Sequence, residues 1–286
     1  MSTRSDHLAV IFDYDDTLVP DSTSLFLQSK GIDVEDFWGR RAKELVESGF
    51  DSPLAYLQLM LDEAKPGGDL EGLTLSELQE FGATLDDLYF DGLPEFFNDL
   101  RTIVGDHRDI TIEFFIISSG IQSIIEGSTV VRDHINGVYA CRLAEDPNTG
   151  VVSRIKRCVT FTEKTRYLFE INKGIEPAKS ARNPGLVNKK VDERRIPLEH
   201  MIYVGDGLTD IPCFTLVKNG GGIAFGVFDP NKPSKAKLAL EEFLSAGRTT
   251  STHFPRYGEE HELGLLIRTA VLQRCSAIGI ERQQAG

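Results

Sequence analysis

The chain has 286 residues, 41% of them hydrophobic and 26% charged, with a formal net charge of −13. Such a length holds one large or two modest globular domains. The charge argues against non-specific binding to nucleic acid or to an anionic membrane surface.

The N-terminal stretch, Met1 to His7, is polar, and the apolar run after it covers only five residues. No signal-peptide core or membrane-spanning helix is expected there or elsewhere, which makes the cytoplasm the expected location. Cys141, Cys158, Cys213 and Cys275 show no C-x-x-C spacing and read as thiols in a reducing compartment.

Residues 8–13 form a short β-branched and aromatic run that reads as a buried strand. From residue 20 to 91 apolar residues recur at three-to-four spacing, through Phe26, Phe37, Trp38, Leu45, Tyr56 and Leu61. Ser52-Pro53 predicts a capped helix start with proline in the first helical position, and Pro66-Gly67-Gly68 a stop. The segment therefore reads as all helical. Leu93-Pro94 then opens a helix, and Thr111 to Ile117 is a second apolar strand ending at Ser118-Ser119-Gly120.

Residues 137–162 predict a β-hairpin around Asp146-Pro147-Asn148-Thr149-Gly150. Lys164 to Ile171 is helical, residues 173–197 read as a long basic loop, and Met201–Gly205 is a third parallel strand. A fourth is expected at Gly222–Phe225, followed by helices at Lys235–Leu244 and Glu260–Ala277. This alternation predicts an α/β fold with a Rossmann-like open, mostly parallel sheet and helices on both faces. In such sheets ligands bind at the C-terminal ends of the strands.

Polar residues gather at three of those ends: Asp13-Tyr14-Asp15-Asp16-Thr17, Ser118, and Asp206-Gly207-Leu208-Thr209-Asp210. Two carboxylates ~4 Å apart at an effective dielectric of ~20 repel by roughly 4 kcal/mol. A divalent cation with a preference for oxygen, Mg²⁺ above all, relieves that repulsion. Each residue also has a plainer reading. Asp210 and Ser118 could be helix N-caps, Asp16 could cap a turn, and Lys164 alone reads as a solvated lysine. The histidines show no ligand spacing and read as structural or surface residues.

Taken in order, these residues resemble the four motifs of haloacid-dehalogenase-like phosphatases. D-x-D-x-T matches Asp13 to Thr17, the second motif Ser118, the third Lys164, and the fourth Gly205-Asp206 with Asp210. The helical insert at 20–91 and the hairpin are similar to those of the phosphoserine-phosphatase-like branch. The resemblance implies a catalytic core at 1–19 and 92–286, with 20–91 as a helical cap and the hairpin as a small flap.

It also implies roles. Asp13 would be the nucleophile forming an aspartyl-phosphate, and Asp15 the general acid and base. Ser118, Ser119 and Lys164 would hold the substrate phosphate. Mg²⁺ would be held by Asp13, the Asp15 backbone carbonyl and Asp206, with Asp210 in support.

The implied partner is a small-molecule phosphate ester, with no nucleic acid or membrane, and the oligomeric state is left open. A phosphotransferase or mutase shares this chemistry. An aspartate-phosphorylated signalling domain would lack the insert, and a silent binding protein would be expected to have lost one of these residues. Arg40, Arg41, Lys43 and the basic loop at 173–195 are candidate contacts for an anionic substrate.

Overall fold

The computed structural model describes residues 5–107 and 109–285. Of the polar N-terminal stretch, residues 1–4 lie outside the described residues. Among the described residues the architecture is α/β, built on one seven-stranded sheet. Its strands are β1 (His7–Phe12), β2 (Thr111–Ile121), β3 (Gly137–Glu145), β4 (Val152–Arg157), β5 (Met201–Gly205), β6 (Ile223–Val227) and β7 (Ser251–His253). They lie in the order β4-β3-β2-β1-β5-β6-β7, and every pair is parallel except β3 with β4.

The central strands are apolar throughout because both of their faces are covered. In β1, Leu8 to Phe12 are buried, and β5 is buried along its whole length. The chain leaves β1 towards β2 and β3 on one side and later returns to β5 on the other. The strand order therefore reverses at β1, which opens a crevice beyond its C-terminal end. Register brings Phe12 level with Ile116 on β2 and with Val204 on β5. The polar residues after each strand consequently reach the same edge.

β2 extends beyond Ile117, where the sequence places its end. Ile117 pairs with Tyr139 and Ile121 with Cys141, so four steps on β2 face two on β3. The excess is taken up by Ser118-Ser119-Gly120, which bulge out of the ladder at the crevice.

Residues 20–91 contain helices and no strand. The Ser52–Glu63 helix starts with Ser52, so Pro53 occupies its second position. Asp51 is the N-cap but makes no side-chain capping bond. The Leu75–Ala83 helix packs on the Gln122–Gly127 helix through Gly82 and Gly127. A Cβ at Gly82 would lie 1.9 Å from the Ile124 carbonyl oxygen, so only glycine allows this approach. The hairpin is also tied to this segment, with Val152 N–H donating to the Leu73 carbonyl at 2.8 Å.

Other differences from the sequence reading are local. The basic stretch at 173–197 contains a short helix, Pro177–Arg182, and a 3₁₀ turn, Pro184–Asn188. The three-residue β7 is too short to leave a periodic signal. The C-terminal helix runs from Glu262 to Ala285, past its expected end.

The most apolar 18-residue window of its Glu262–Gln283 stretch has a mean hydropathy of 1.3, and the stretch is, by length and composition, apolar enough to cross a membrane, against the expectation that no such helix exists. Arg268 and Arg274 interrupt the apolar run and hide it from inspection. In the structure 44% of its most apolar window is buried. The helix packs on the Glu95–Gly105 helix, and Arg268 donates to the Tyr257 carbonyl at 2.8 Å and pairs with Asp99.

Candidate active site

Asp13 leaves the end of β1 with its N–H donating to the Val204 carbonyl of β5 at 2.9 Å, which continues the ladder by one residue. Its Oδ1 accepts the Tyr14 N–H at 2.8 Å. Its Oδ2 lies 3.1 Å from the Lys164 ammonium. Lys164, on the Phe161–Lys173 helix, is wholly buried and also reaches Asp210 Oδ1 at 2.7 Å. Asp210 is fixed further by the Tyr203 hydroxyl at 2.7 Å and the Gly207 N–H at 2.9 Å.

Asp13, Asp206 and Asp210 each offer a carboxylate oxygen, and these atoms all lie within 4.8 Å of one another. All three residues are buried. Three carboxylates this close carry more negative charge than Lys164 and Lys235, the two ammonium groups against them, offset in full, and an all-oxygen donor set suits a hard divalent ion such as Mg²⁺. A second group, Asp91, Glu260 and His261, lies at the surface with both of its acids exposed.

Burial, reinforced by Asp210, holds the Asp13 carboxyl well above the usual carboxylate range even though Lys164 works to lower it. For Lys164 the balance is reversed. Burial acts to lower its pKa, but Asp13 and Asp210 together outweigh burial and raise it, so it stays charged. Asp206 is pushed up to about 6 by burial, with Lys235 opposing.

Asp15 accepts two hydrogen bonds on Oδ1, from the Ser22 N–H at 2.8 Å and the Ser22 hydroxyl at 2.5 Å. Its carboxyl is nevertheless pushed up to about 7 by burial and by neighbouring Asp21. Gly120 permits that position: a Cβ there would lie 2.4 Å from Asp15 Oδ2 and 3.2 Å from Ser118 Oγ. Ser118 is buried, and its hydroxyl accepts the Gly120 N–H at 2.9 Å. The Ser119 hydroxyl is buried without a hydrogen-bond partner among the described residues, while its carbonyl accepts the Tyr56 hydroxyl at 2.7 Å.

One cavity of about 240 Å³ collects these groups. Asp13, Asp15, Ser118, Ser119 and Asp206 line it, together with Asp16, Gly120 and Lys235 from the core side and Asp21, Trp38 and Tyr56 from the helical segment. Lys164 and Asp210 are packed behind Asp13 and do not reach the lining.

Asp16 is more than a turn residue. It has a left-handed φ of 54°, and its carboxylate faces Lys232 and Lys235. Thr17 is fully buried, and its carbonyl accepts the Tyr257 hydroxyl at 2.8 Å.

The candidate anion contacts of the sequence reading lie elsewhere. Arg40 is engaged by Asp36 at 2.6 Å, Arg41 pairs with Glu63, Lys43 faces Glu47 at 3.7 Å, and none of the three lines the cavity. In the basic stretch, Arg195 pairs with Glu113, near the start of β2 at the far end of the sheet.

Sequence reasoning missed Lys235, Ser22, Tyr203 and Gly120. Lys235 follows β6 as Lys164 follows the hairpin, but no motif marks it. Tyr203 sits inside an apolar strand and reads as core until register shows its hydroxyl on Asp210.

No family model matches the chain. It is similar to an uncharacterized protein of Borreliella burgdorferi, 27% identical over 241 residues that cover 77% of this chain and 81% of that one.

Proposed function

We propose that the protein is a Mg²⁺-dependent phosphatase of the haloacid-dehalogenase-like type, hydrolysing a small phosphomonoester. Its Rossmann-like core would comprise residues 1–19 and 92–286, with the helical segment 20–91 as a cap. The observation that carries this reading is the pairing of Asp13 with Lys164 at 3.1 Å, beside a second carboxyl, Asp15, pushed up to about 7. A nucleophile held by a cation and an acid tuned near neutrality are what two-step phosphoryl transfer needs.

Asp13 attacks the phosphorus to form an aspartyl-phosphate while protonated Asp15 gives its proton to the leaving alkoxide. Asp15, now a carboxylate, then takes a proton from the water that hydrolyses the acyl-phosphate. Lys164 holds the Asp13 carboxylate in place and offsets phosphoryl charge, and the Ser118 and Ser119 hydroxyls donate to non-bridging oxygens. Asp13, Asp206 and the Asp15 carbonyl, with Asp210 in support, would hold Mg²⁺, which would supply Lewis-acid neutralisation of phosphoryl charge.

The cavity's modest size favours a small ester, and Trp38 and Tyr56 bring the helical segment onto its leaving-group side. The four free cysteines support a cytoplasmic location. The test is phosphate release from p-nitrophenyl phosphate and a panel of small phosphate esters, with and without Mg²⁺. Turnover that requires Mg²⁺ is expected, and no turnover across the panel in its presence would contradict the reading.

A further inference from the structure

Lys235 lies on the Pro233–Leu238 helix after β6 and reaches back into the cavity. Its ammonium is 2.6 Å from Asp206 Oδ2 and 3.7 Å from Asp16 Oδ2. The two lysines of the site differ in freedom. Lys164 is wholly buried between Asp13 and Asp210 and has no solvent side, whereas the Lys235 side chain is 32% exposed. Asp16 is a ready second partner for Lys235: its side chain is 18% exposed, and Lys232 shares it at 3.3 Å from the outer side.

Asp206 is also one of the three carboxylates assigned to the divalent ion. An ammonium 2.6 Å from one oxygen of a carboxylate lies within a few ångströms of an ion held by that same carboxylate. In a buried pocket, like charges at such a distance repel strongly. One of the two must give way, and only Lys235 has somewhere to go.

We propose that Lys235 is an exchangeable counter-ion for Asp206, moving onto Asp16 when a divalent ion binds, so that ion binding and the Lys235–Asp206 pair oppose each other. This rests on the metal site of the proposed function. Because coupling between two binding events is reciprocal, Lys235 weakens the ion's affinity by the factor by which the ion weakens the pair. Lys235 is thus a positioning residue: it neutralises a buried carboxylate, limits how tightly the ion is held, and ends at the mouth of the cavity.

The experiment is a titration of the full-length protein with Mn²⁺, free ion being read by electron paramagnetic resonance, at about pH 8 so that ordinary carboxylates are ionised. Wild type is compared with Lys235→Met, Lys235→Arg and Lys232→Met. Lys235→Met is expected to bind Mn²⁺ on the order of tenfold more tightly. Lys235→Arg, which keeps the charge, should stay near wild type, whereas Lys232→Met, which leaves Asp16 free to receive Lys235, should bind Mn²⁺ more tightly than wild type but by a smaller factor than Lys235→Met.

A merely structural role for Lys235 would weaken binding when the side chain is removed, so the sign separates the two. If Lys235→Met does not fold, Lys235→Gln is read in the same way. Equal or weaker Mn²⁺ binding by the uncharged variants, or tightening by Lys235→Arg as large as by Lys235→Met, overturns the exchange while leaving the metal site standing. Absence of Mn²⁺ binding by the wild type overturns the metal site and the exchange together.

Discussion

The Lys164 ammonium sits 3.1 Å from Asp13 Oδ2, and neither side chain is more than 8% exposed. Two charges withdrawn from water this completely stabilise one another only as a set, with Asp210 as the third member. Removing the cation leaves two buried carboxylates without their shared partner. Lys164→Met should therefore destabilise the fold by about 3–5 kcal/mol. It should also abolish turnover. Denaturant unfolding and phosphate release measure the two effects, and a variant as stable as wild type would show that the cluster is neutralised in another way.

Asp15 gives the pH dependence. Its carboxyl is pushed up to about 7 by burial and by Asp21, with the Ser22 hydrogen bonds opposing. An acid with that value loses its proton as pH rises through about 7. The kcat for esters with poor leaving groups should accordingly fall on the alkaline side. Aryl phosphates, whose leaving groups need no proton, should show a flatter profile. Asp15→Asn should remove the difference between the two substrate types, and a persisting difference would assign the acid elsewhere.

Gly120 offers a test that leaves every charged group in place. A methyl group at that position would stand 2.4 Å from Asp15 Oδ2, so the carboxyl has to move. Displacing a reacting group by about 1 Å can cost on the order of 10²-fold in rate. Gly120→Ala should lower kcat by about that factor with little change in melting temperature. Unchanged kinetics would mean that Asp15 does not act from its observed position.

His200 predicts how stability responds to acid. The residue is 6% exposed, with Nδ1 3.1 Å from the His7 carbonyl oxygen. Burial holds its pKa below the usual histidine value, despite that hydrogen bond. The unfolded chain binds a proton here at a higher pH than the folded one. The stability this residue contributes is thus present above the unfolded pKa of about 6.5 and is lost as pH falls below it towards the folded pKa. Denaturation midpoints between about pH 7 and 5 should fall less steeply in His200→Gln than in wild type. Parallel curves would show that His200 takes up its proton equally in both states.

The parts of this site that are legible in the sequence share one property: each sits directly after an apolar run, or at a helix start whose chain order marks it. Asp13, Ser118 and Asp206 follow β1, the apolar part of β2, and β5, so strand prediction alone brings them to one edge. Lys164 and Asp210 are reached through motif order, and the structure puts both against Asp13 or its neighbours.

Residues that act by reach or by lack of bulk are not legible. The Lys235 contact with Asp206 depends on where β6 delivers its helix, and Gly120 matters for the atom it leaves out. The β2 bulge escaped for a related reason, since Ser118-Ser119-Gly120 reads as a strand end unless the β3 register is known. The cationic residues at 40–43 show the converse: basic side chains in the right segment are taken up by acids on their own or a neighbouring helix.

The central claim is that Asp13 carries the phosphoryl group. Its direct test is an acid quench of the protein during turnover of a ³²P-labelled ester in Mg²⁺, followed by peptide mapping. Acid-stable, base-labile label is expected on the peptide containing Asp13, and neither label nor turnover in Asp13→Asn. Turnover with no label on that peptide, or undiminished turnover in Asp13→Asn, would contradict it.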